Sequence, residues 1–289
     1  MGLISELKIV MVSNKFQEKL SRHFVIIESK LLQAKELYDA AESRLLSALD
    51  MDNFTASNDP IAVKSFSESF GVSGRLDAEF YQKKYADYSC TITKRSHTFI
   101  YKEFELISTS CSREKAEYPY VEIGDINAGN GSFSYNTIET EELPDNAKIC
   151  PIQGDLLVSK VRPYRGAVAI INSTINDLVV SGAFTVLRPK SLYPVEVLAV
   201  LLRSAIYRDW FMKWNVGSSY PVIRDDDVLN MPIPILGASI QNEIVDDVQQ
   251  SFELRRQSEQ LLEYAKRAVE IAIEQSEEAA IAWLNEVAI

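Results

Sequence analysis

The sequence predicts an α+β protein, in which a mixed, strand-rich α/β domain over residues 51–237 lies between two long helices, residues 1–50 and 238–289, that form an antiparallel coiled-coil-like pair. Three observations carry this prediction. Apolar residues near the N-terminus recur in steps of four and three, the middle of the chain gathers β-branched and aromatic residues between turn formers, and a helical period returns after residue 238.

Leu20, Phe24, Ile27, Leu31, Ala34, Tyr38, Ala41, Leu45 and Ala48 alternate in steps of four and three, which is a heptad seam. Asn14 followed by Gln17 predicts the start of this first helix in the manner of a capping box. Asp50 to Pro60, with Asn53, Ser57, Asn58 and Asp59, ends it. The same pattern also fits an amphipathic helix lying on a globular core.

Strands are expected at Phe99–Ile107, Tyr118–Ile123, Asp155–Val161, Ala167–Ile171 and Leu178–Leu187. One further helix is expected from Pro194 in its first turn, with Val197, Leu198, Leu201, Leu202, Ala205, Ile206 and Trp210 as its apolar face. The second long helix starts near Ser239, with Glu243, Asp246 and Asp247 suited to the positive end of the helix dipole. Its apolar positions include Ile240, Ile244, Val248, Phe252, Leu261, Ala265, Ala268, Ala272, Ala279, Trp283 and Val287. Unbroken to the end of the chain, it extends about 70 Å and needs a partner along its length. Alanines recur here where large residues recur in the first helix, so the two can interdigitate. The expected packing residues are Leu20, Phe24, Ile27, Leu31, Tyr38, Leu45, Leu261, Ala265 and Trp283. Pairing of each helix with a copy from another chain satisfies the same pattern.

A 46% hydrophobic and 25% charged composition, with 11 glycines and 10 prolines, is that of an ordered globular chain. Its three cysteines, Cys90, Cys111 and Cys150, form no CxxC pair and have only two histidines to join in a metal site, so reduced thiols in a cytoplasmic setting are expected. No apolar run approaches the roughly 20 residues of a membrane span, and Leu3 to Val12 has no basic leader or small-residue cleavage pattern. The net charge of -11 is unevenly spread. Residues 1–50 carry seven basic and seven acidic side chains, residues 51–237 carry 19 and 23, and residues 238–289 carry four and eleven. Acidity therefore concentrates in the second long helix, and the middle domain is free to present a basic face.

Catalytic patterns are absent. The chain has no Gly-rich phosphate loop, HExxH, GxSxG, Asn/Asp-Pro-Pro-Tyr/Phe motif or nuclease-type acidic-x-Lys pair after a placed aspartate. Asp225, Asp226 and Asp227 read as a helix start or solvated turn, and His97 has no identifiable carboxylate partner. Metal ligation is not expected.

Several runs carry a resemblance. Tyr120-Val-Glu-Ile-Gly-Asp-Ile126, Gly154-Asp-Leu-Leu-Val-Ser-Lys-Val-Arg-Pro163 and Val180-Ser-Gly-Ala-Phe-Thr-Val-Leu-Arg-Pro189 resemble the target-recognition domain of type I restriction-modification specificity subunits. Gly217-Ser-Ser-Tyr-Pro-Val-Ile223, Met231-Pro-Ile-Pro-Ile235, and Gln241 with Ile244 resemble that family's exit into its spacer helix, and Leu76-Asp-Ala-Glu-Phe-Tyr81 its entry. Leu261 to Glu274 resembles the distal conserved helix, and Leu37 to Leu46 the end of the central one. One departure is large: the usual member has two recognition domains, and this chain has one.

The resemblance implies a non-catalytic subunit that binds double-stranded DNA and joins modification subunits, with translocating nuclease (restriction) subunits joining the assembly. It implies no cofactor on this chain, since S-adenosylmethionine and ATP belong to the other subunits. A single recognition domain implies a homodimer reading a bipartite, palindromic site. Lys160, Arg162, Tyr164 and Arg165, clustered where a strand ends, are candidate DNA contacts. Ser218, Ser219, Tyr220 and Arg224 form a second candidate loop, and Lys94 with Arg95 a weaker, nonspecific one. Surface ion pairing of the first group, and a purely positional turn for the second, remain open. A scaffold that holds modification subunits without reading sequence is the competing function.

Overall fold

The computed structural model describes residues 11–217 and 220–287. In chain order the helices are α1 Asn14–Ala48, α2 Phe70–Ser73, α3 Lys83–Thr93, α4 Ile100–Glu103, α5 Val195–Arg203, α6 Ala205–Phe211, α7 Asp225–Leu229, α8 Ala238–Glu274 and α9 Glu277–Val287. The strands are β1 His97–Phe99, β2 Phe104–Leu106, β3 Glu117–Val121, β4 Asn136–Glu139, β5 Ala147–Ile149, β6 Leu156–Ser159, β7 Val168–Ile170, β8 Val179–Ser181, β9 Phe184–Pro189 and β10 Pro232–Pro234. The chain divides into two units. One holds the chain up to Asp39 and from Asp247 onward, and the other spans Ala40–Asp246.

In the first unit α1 and α8 run antiparallel. Lys30 Nζ donates to Gln257 Oε1 at 2.6 Å, and Ser251 Oγ donates to the Ala34 carbonyl at 2.6 Å, so residue numbers rise along one helix as they fall along the other. Ser13, one residue before the expected position, caps α1, its hydroxyl accepting from the Phe16 amide at 3.3 Å. Gln17 closes no box and donates instead to the Val12 carbonyl at 2.8 Å.

The buried stripe of α1 passes through Phe16, His23, Ile27, Ala34 and Tyr38 and, in the other unit, Ala41 and Leu45. Phe24 and Leu31 leave the seam and are 44% and 40% exposed. Two heptad phases share Leu20, Ile27 and Ala34 and differ only in the intervening residue. Hydrophobicity favours Phe24 and Leu31, whereas the helix uses His23 and the half-buried Lys30. On α8 the buried residues here include four small ones, Ser251, Ser258, Ala265 and Ala268, which permit close approach, with Val248 and Ile271 buried as well. Leu20, Leu261 and Trp283 are partly buried.

The second long helix is not continuous. It stops at Glu274 after 37 residues, about 55 Å. The Ser276 hydroxyl accepts from the Ala279 amide at 3.2 Å, starting α9 with Glu277 and Glu278 in its first turn. α9 then packs Ala280 and Leu284 on Phe16, Ala268 and Ile271.

The second unit contains two four-stranded sheets. One is antiparallel in the order β2-β9-β6-β7, and the other, β4-β3-β8-β5, is mixed, with β3 and β8 parallel. Leu157, Ala169, Phe184 and Val186 of the first sheet share one apolar cluster with Val121, Ile149 and Val180 of the second. Leu156, Val158 and Val168 are buried as well, and α5 covers β7. This burial on both sides explains why β6 reads as a continuous apolar run.

The expected strand Phe99–Ile107 is interrupted by α4, so that β1 pairs with β10 and β2 with β9. Leu178–Leu187 is likewise two strands in different sheets. The helix expected from Pro194 breaks at Ser204, whose hydroxyl caps α6 by accepting from Tyr207 N. β4, β5 and β10 had no sequence expectation. In β10, buried Tyr207 and Tyr193 donate to the carbonyls of Pro232 and Pro234 at 2.6 and 3.1 Å. The expectation of three reduced thiols is corrected for two of them. Cys111 and Cys150 form a disulfide across a Cα separation of 5.5 Å, set by the pairing of Cys111 N with the Lys148 carbonyl, and Cys90 is free and exposed.

Candidate nucleic-acid interface

β6 delivers the chain from the core to an exposed turn. Past Ser159, the Lys160 amide donates to Ala183 O at 2.9 Å, the Ile223 amide to Lys160 O at 3.0 Å and the Arg162 amide to Pro221 O at 2.7 Å. Val161 and Val222 form an antiparallel bridge. The two polar segments that the sequence separates by some 60 residues therefore lie side by side as one surface.

Arg162 and Gly166, both left-handed at φ 50° and 72°, flank the 3-10 turn Pro163–Arg165. Pro163 is buried, while Tyr164 and Arg165 are exposed. Helix α6 supports the turn from below. A Cβ on Gly166 would come within 2.6 Å of Arg208 Cδ, so glycine is required both by conformation and by close approach.

Each candidate has a distinct environment. The Arg162 guanidinium lies 4.3 Å from the centroid of the Tyr220 ring, and Tyr220 is 61% exposed. Lys160 is drawn inward, with its side chain 17% exposed and paired with Asp225 at 3.0 Å, while Thr185 Oγ1 donates to the same carboxylate at 2.7 Å. Ion pairing thus describes Lys160. Arg224 keeps 76% of its side chain exposed and approaches Asp227 at 3.4 Å. Ser218 and Ser219 lie outside the described residues. Lys94 and Arg95 belong to another neighbourhood, at the end of α3, where Arg95 pairs with Asp50 and Ser96 O accepts from the Ile235 amide. His97 Nδ1 is 3.0 Å from the Arg95 carbonyl.

Asp225, Asp226 and Asp227 form the first turn of α7, and the buried Asp227 accepts from the Arg224 amide at 2.8 Å. No group of three ligands suited to a metal ion occurs among the described residues.

Two features escaped the sequence reading. Arg208 lies against Gly166, with its Nε buried and without a hydrogen-bond partner among the described atoms. Its position on the polar face of an expected helix was the available signal, but the contact with Gly166 is tertiary. Arg75 and Lys213 approach the Phe80 ring from 4.7 and 4.8 Å, and burial lowers the Lys213 pKa from its ordinary value. Nothing local joins these residues across the sequence.

The family model for the type I restriction modification DNA specificity domain matches residues 99–264. The type I restriction enzyme HindI specificity subunit of Haemophilus influenzae is 29% identical over 181 residues, 58% of this chain and 39% of that protein. The crystal structure of the HsdS subunit from Thermoanaerobacter tengcongensis superposes with a TM-score of 0.46 at 22% identity, over 61% of this chain and 46% of that one. A chain from a structural study of complex assembly and conformational transition in the type I R-M system gives the same TM-score and coverages at 24% identity. The matches thus span less than half the length of these relatives. With the family model covering more than half of its sequence, the chain belongs to the type I restriction modification DNA specificity domain family.

Proposed function

We propose that the protein is a non-catalytic DNA-specificity component. Residues 51–237 read one half of a bipartite site in double-stranded DNA, while the long helices hold modification subunits. The observation that carries this reading is the joining of 160–165 to 220–224 in one exposed surface, where Arg162 and Arg165 have no carboxylate partner among the described residues. Family membership and the uneven charge, with -7 confined to residues 238–289, support the same division of labour.

Two copies complete the recognition unit. Phe24 and Leu31, excluded from the intrachain seam, and Val25 and Leu32, which are 64% and 58% exposed, leave α1 with an apolar face that a second copy covers. Translocating nuclease subunits join that assembly.

Selection of full-length protein on a pool of randomised duplexes tests the reading. Enrichment of a two-part motif, with a particle of two chains in light scattering, is expected. Retention of modification subunits without any enriched motif overturns the DNA-reading role and leaves the scaffold function. A strictly monomeric particle, with and without modification subunit, overturns the dimer.

A further inference from the structure

Arg162 holds a backbone conformation that its side-chain type disfavours, at φ 50° and ψ 55°. The left-handed region crowds any Cβ and is normally filled by glycine, asparagine or aspartate. Among the described residues, the other non-glycine positions at positive φ are both aspartates, Asp50 and Asp177. An arginine at such a position carries a backbone cost that glycine would not.

The surroundings hold the Arg162 backbone and give its guanidinium an aromatic neighbour. The Arg162 amide donates to Pro221 O at 2.7 Å, and its carbonyl accepts from Arg165 N at 2.9 Å, so the backbone is held on both sides. The guanidinium sits 4.3 Å from the Tyr220 ring centroid. The acids nearby in sequence are engaged elsewhere, Asp225 with Lys160 and Asp227 with Arg224. Contact over a ring uses the face of a guanidinium and leaves the N–H donors in its plane to bond elsewhere. A side chain ordered before binding also loses less rotamer freedom on binding.

We propose that Arg162, stacked on Tyr220, is the base-reading side chain and donates two hydrogen bonds to O6 and N7 of one guanine in the major groove, while the neighbouring Arg165 contacts phosphate. This rests on the DNA-reading function proposed above and adds to it a residue and a base. Two parallel donors match the two acceptors that guanine alone presents on that edge. Neither the exposed Arg224, which is engaged by Asp227, nor the inward-drawn Lys160 has this combination of order and available donors.

The test uses full-length protein, wild type and the variants R162G, R162K and Y220L, each selected on the same randomised duplex pool and melted in parallel. Wild type is expected to enrich a motif in which one position is held as a G·C pair. R162G relieves the backbone strain, so its melting temperature is expected to equal or exceed that of the parent. Its selectivity at that single position should fall about tenfold to a hundredfold, with the other positions kept. R162K retains the charge yet loses the same selectivity, because one ammonium cannot span both acceptors. Y220L weakens selectivity at the same position and no other.

An unchanged motif in both R162G and R162K overturns the assignment while leaving DNA reading intact. A loss spread evenly over all positions also overturns it, because it marks a phosphate contact. Absence of any motif for wild type overturns the underlying DNA-reading function as well, which tells the two failures apart.

Discussion

Asp155 is the residue whose replacement best tests how β6 is anchored in its sheet. It stands at the entry to β6 with its side chain 1% exposed, and its carboxylate accepts from Arg188 Nε and Nη2 at 2.8 Å each and from the Ile152 amide at 2.8 Å. Arg188 lies on β9, the neighbour of β6, and its side chain is 33% exposed. Removing one partner of a buried pair costs about 3–5 kcal/mol, most of it from the charge left behind. Asp155→Ala leaves the guanidinium, which water partly reaches, so about 3 kcal/mol is expected. Arg188→Ala leaves a fully enclosed carboxylate and is expected to cost about 4–5 kcal/mol. Urea unfolding of the full chain reads both as shifts in midpoint at constant slope, and the double variant isolates the coupling. A cost below about 1 kcal/mol for Asp155→Ala, or the reverse order of the two variants, refutes the reasoning.

Burial, with a smaller contribution from the Lys19 ammonium, holds the His23 imidazole below its ordinary pKa, and its Nε2 has no partner among the described atoms. The unfolded chain therefore takes up the proton first, so this stability is present above about pH 6.5 and is lost as pH falls through the folded value. His23→Leu should raise the melting temperature more at pH 5 than at pH 8, and equal shifts contradict the assignment. Gly166→Ala, at φ 72° and against Arg208, should cost about 1–2 kcal/mol in a denaturant titration, whereas a neutral result means the turn is not held by α6. Arg165→Ala should weaken binding to every duplex alike and lower the salt slope by about one, whereas a base-specific loss would make it a reading residue. Phe24→Glu with Leu31→Glu should convert a two-chain particle to single chains in light scattering without lowering the helix content. An unchanged particle size removes α1 from the interface.

Much of this architecture is legible locally. The heptad of α1, the flanking Ser239 region and the strand-forming runs are periodic signals, and they place both helices and the sheets between them. The seam phase was not legible, because Phe24 and His23 satisfy the same spacing and only the packed helix pair shows which of them is buried. β10, Pro-Ile-Pro, has the composition of a linker and becomes a strand only because β1 pairs with it and two buried tyrosines satisfy its carbonyls. At the candidate site, residue types reveal Arg162, Tyr164, Arg165, Tyr220 and Arg224, but not that Lys160 is spent on Asp225 or that Arg162 stacks on Tyr220. Both depend on the pairing of 160–162 with 221–223, a long-range register that no local pattern encodes.

Whether this chain reads sequence in duplex DNA is decided by the ratio of two affinities. Full-length protein is titrated against the duplex it enriches and against a base-scrambled duplex of equal length, from 50 to 200 mM salt. A preference of roughly a thousandfold or more, persisting as both affinities fall with salt, is expected. Equal affinities for the two duplexes at every salt concentration would contradict it.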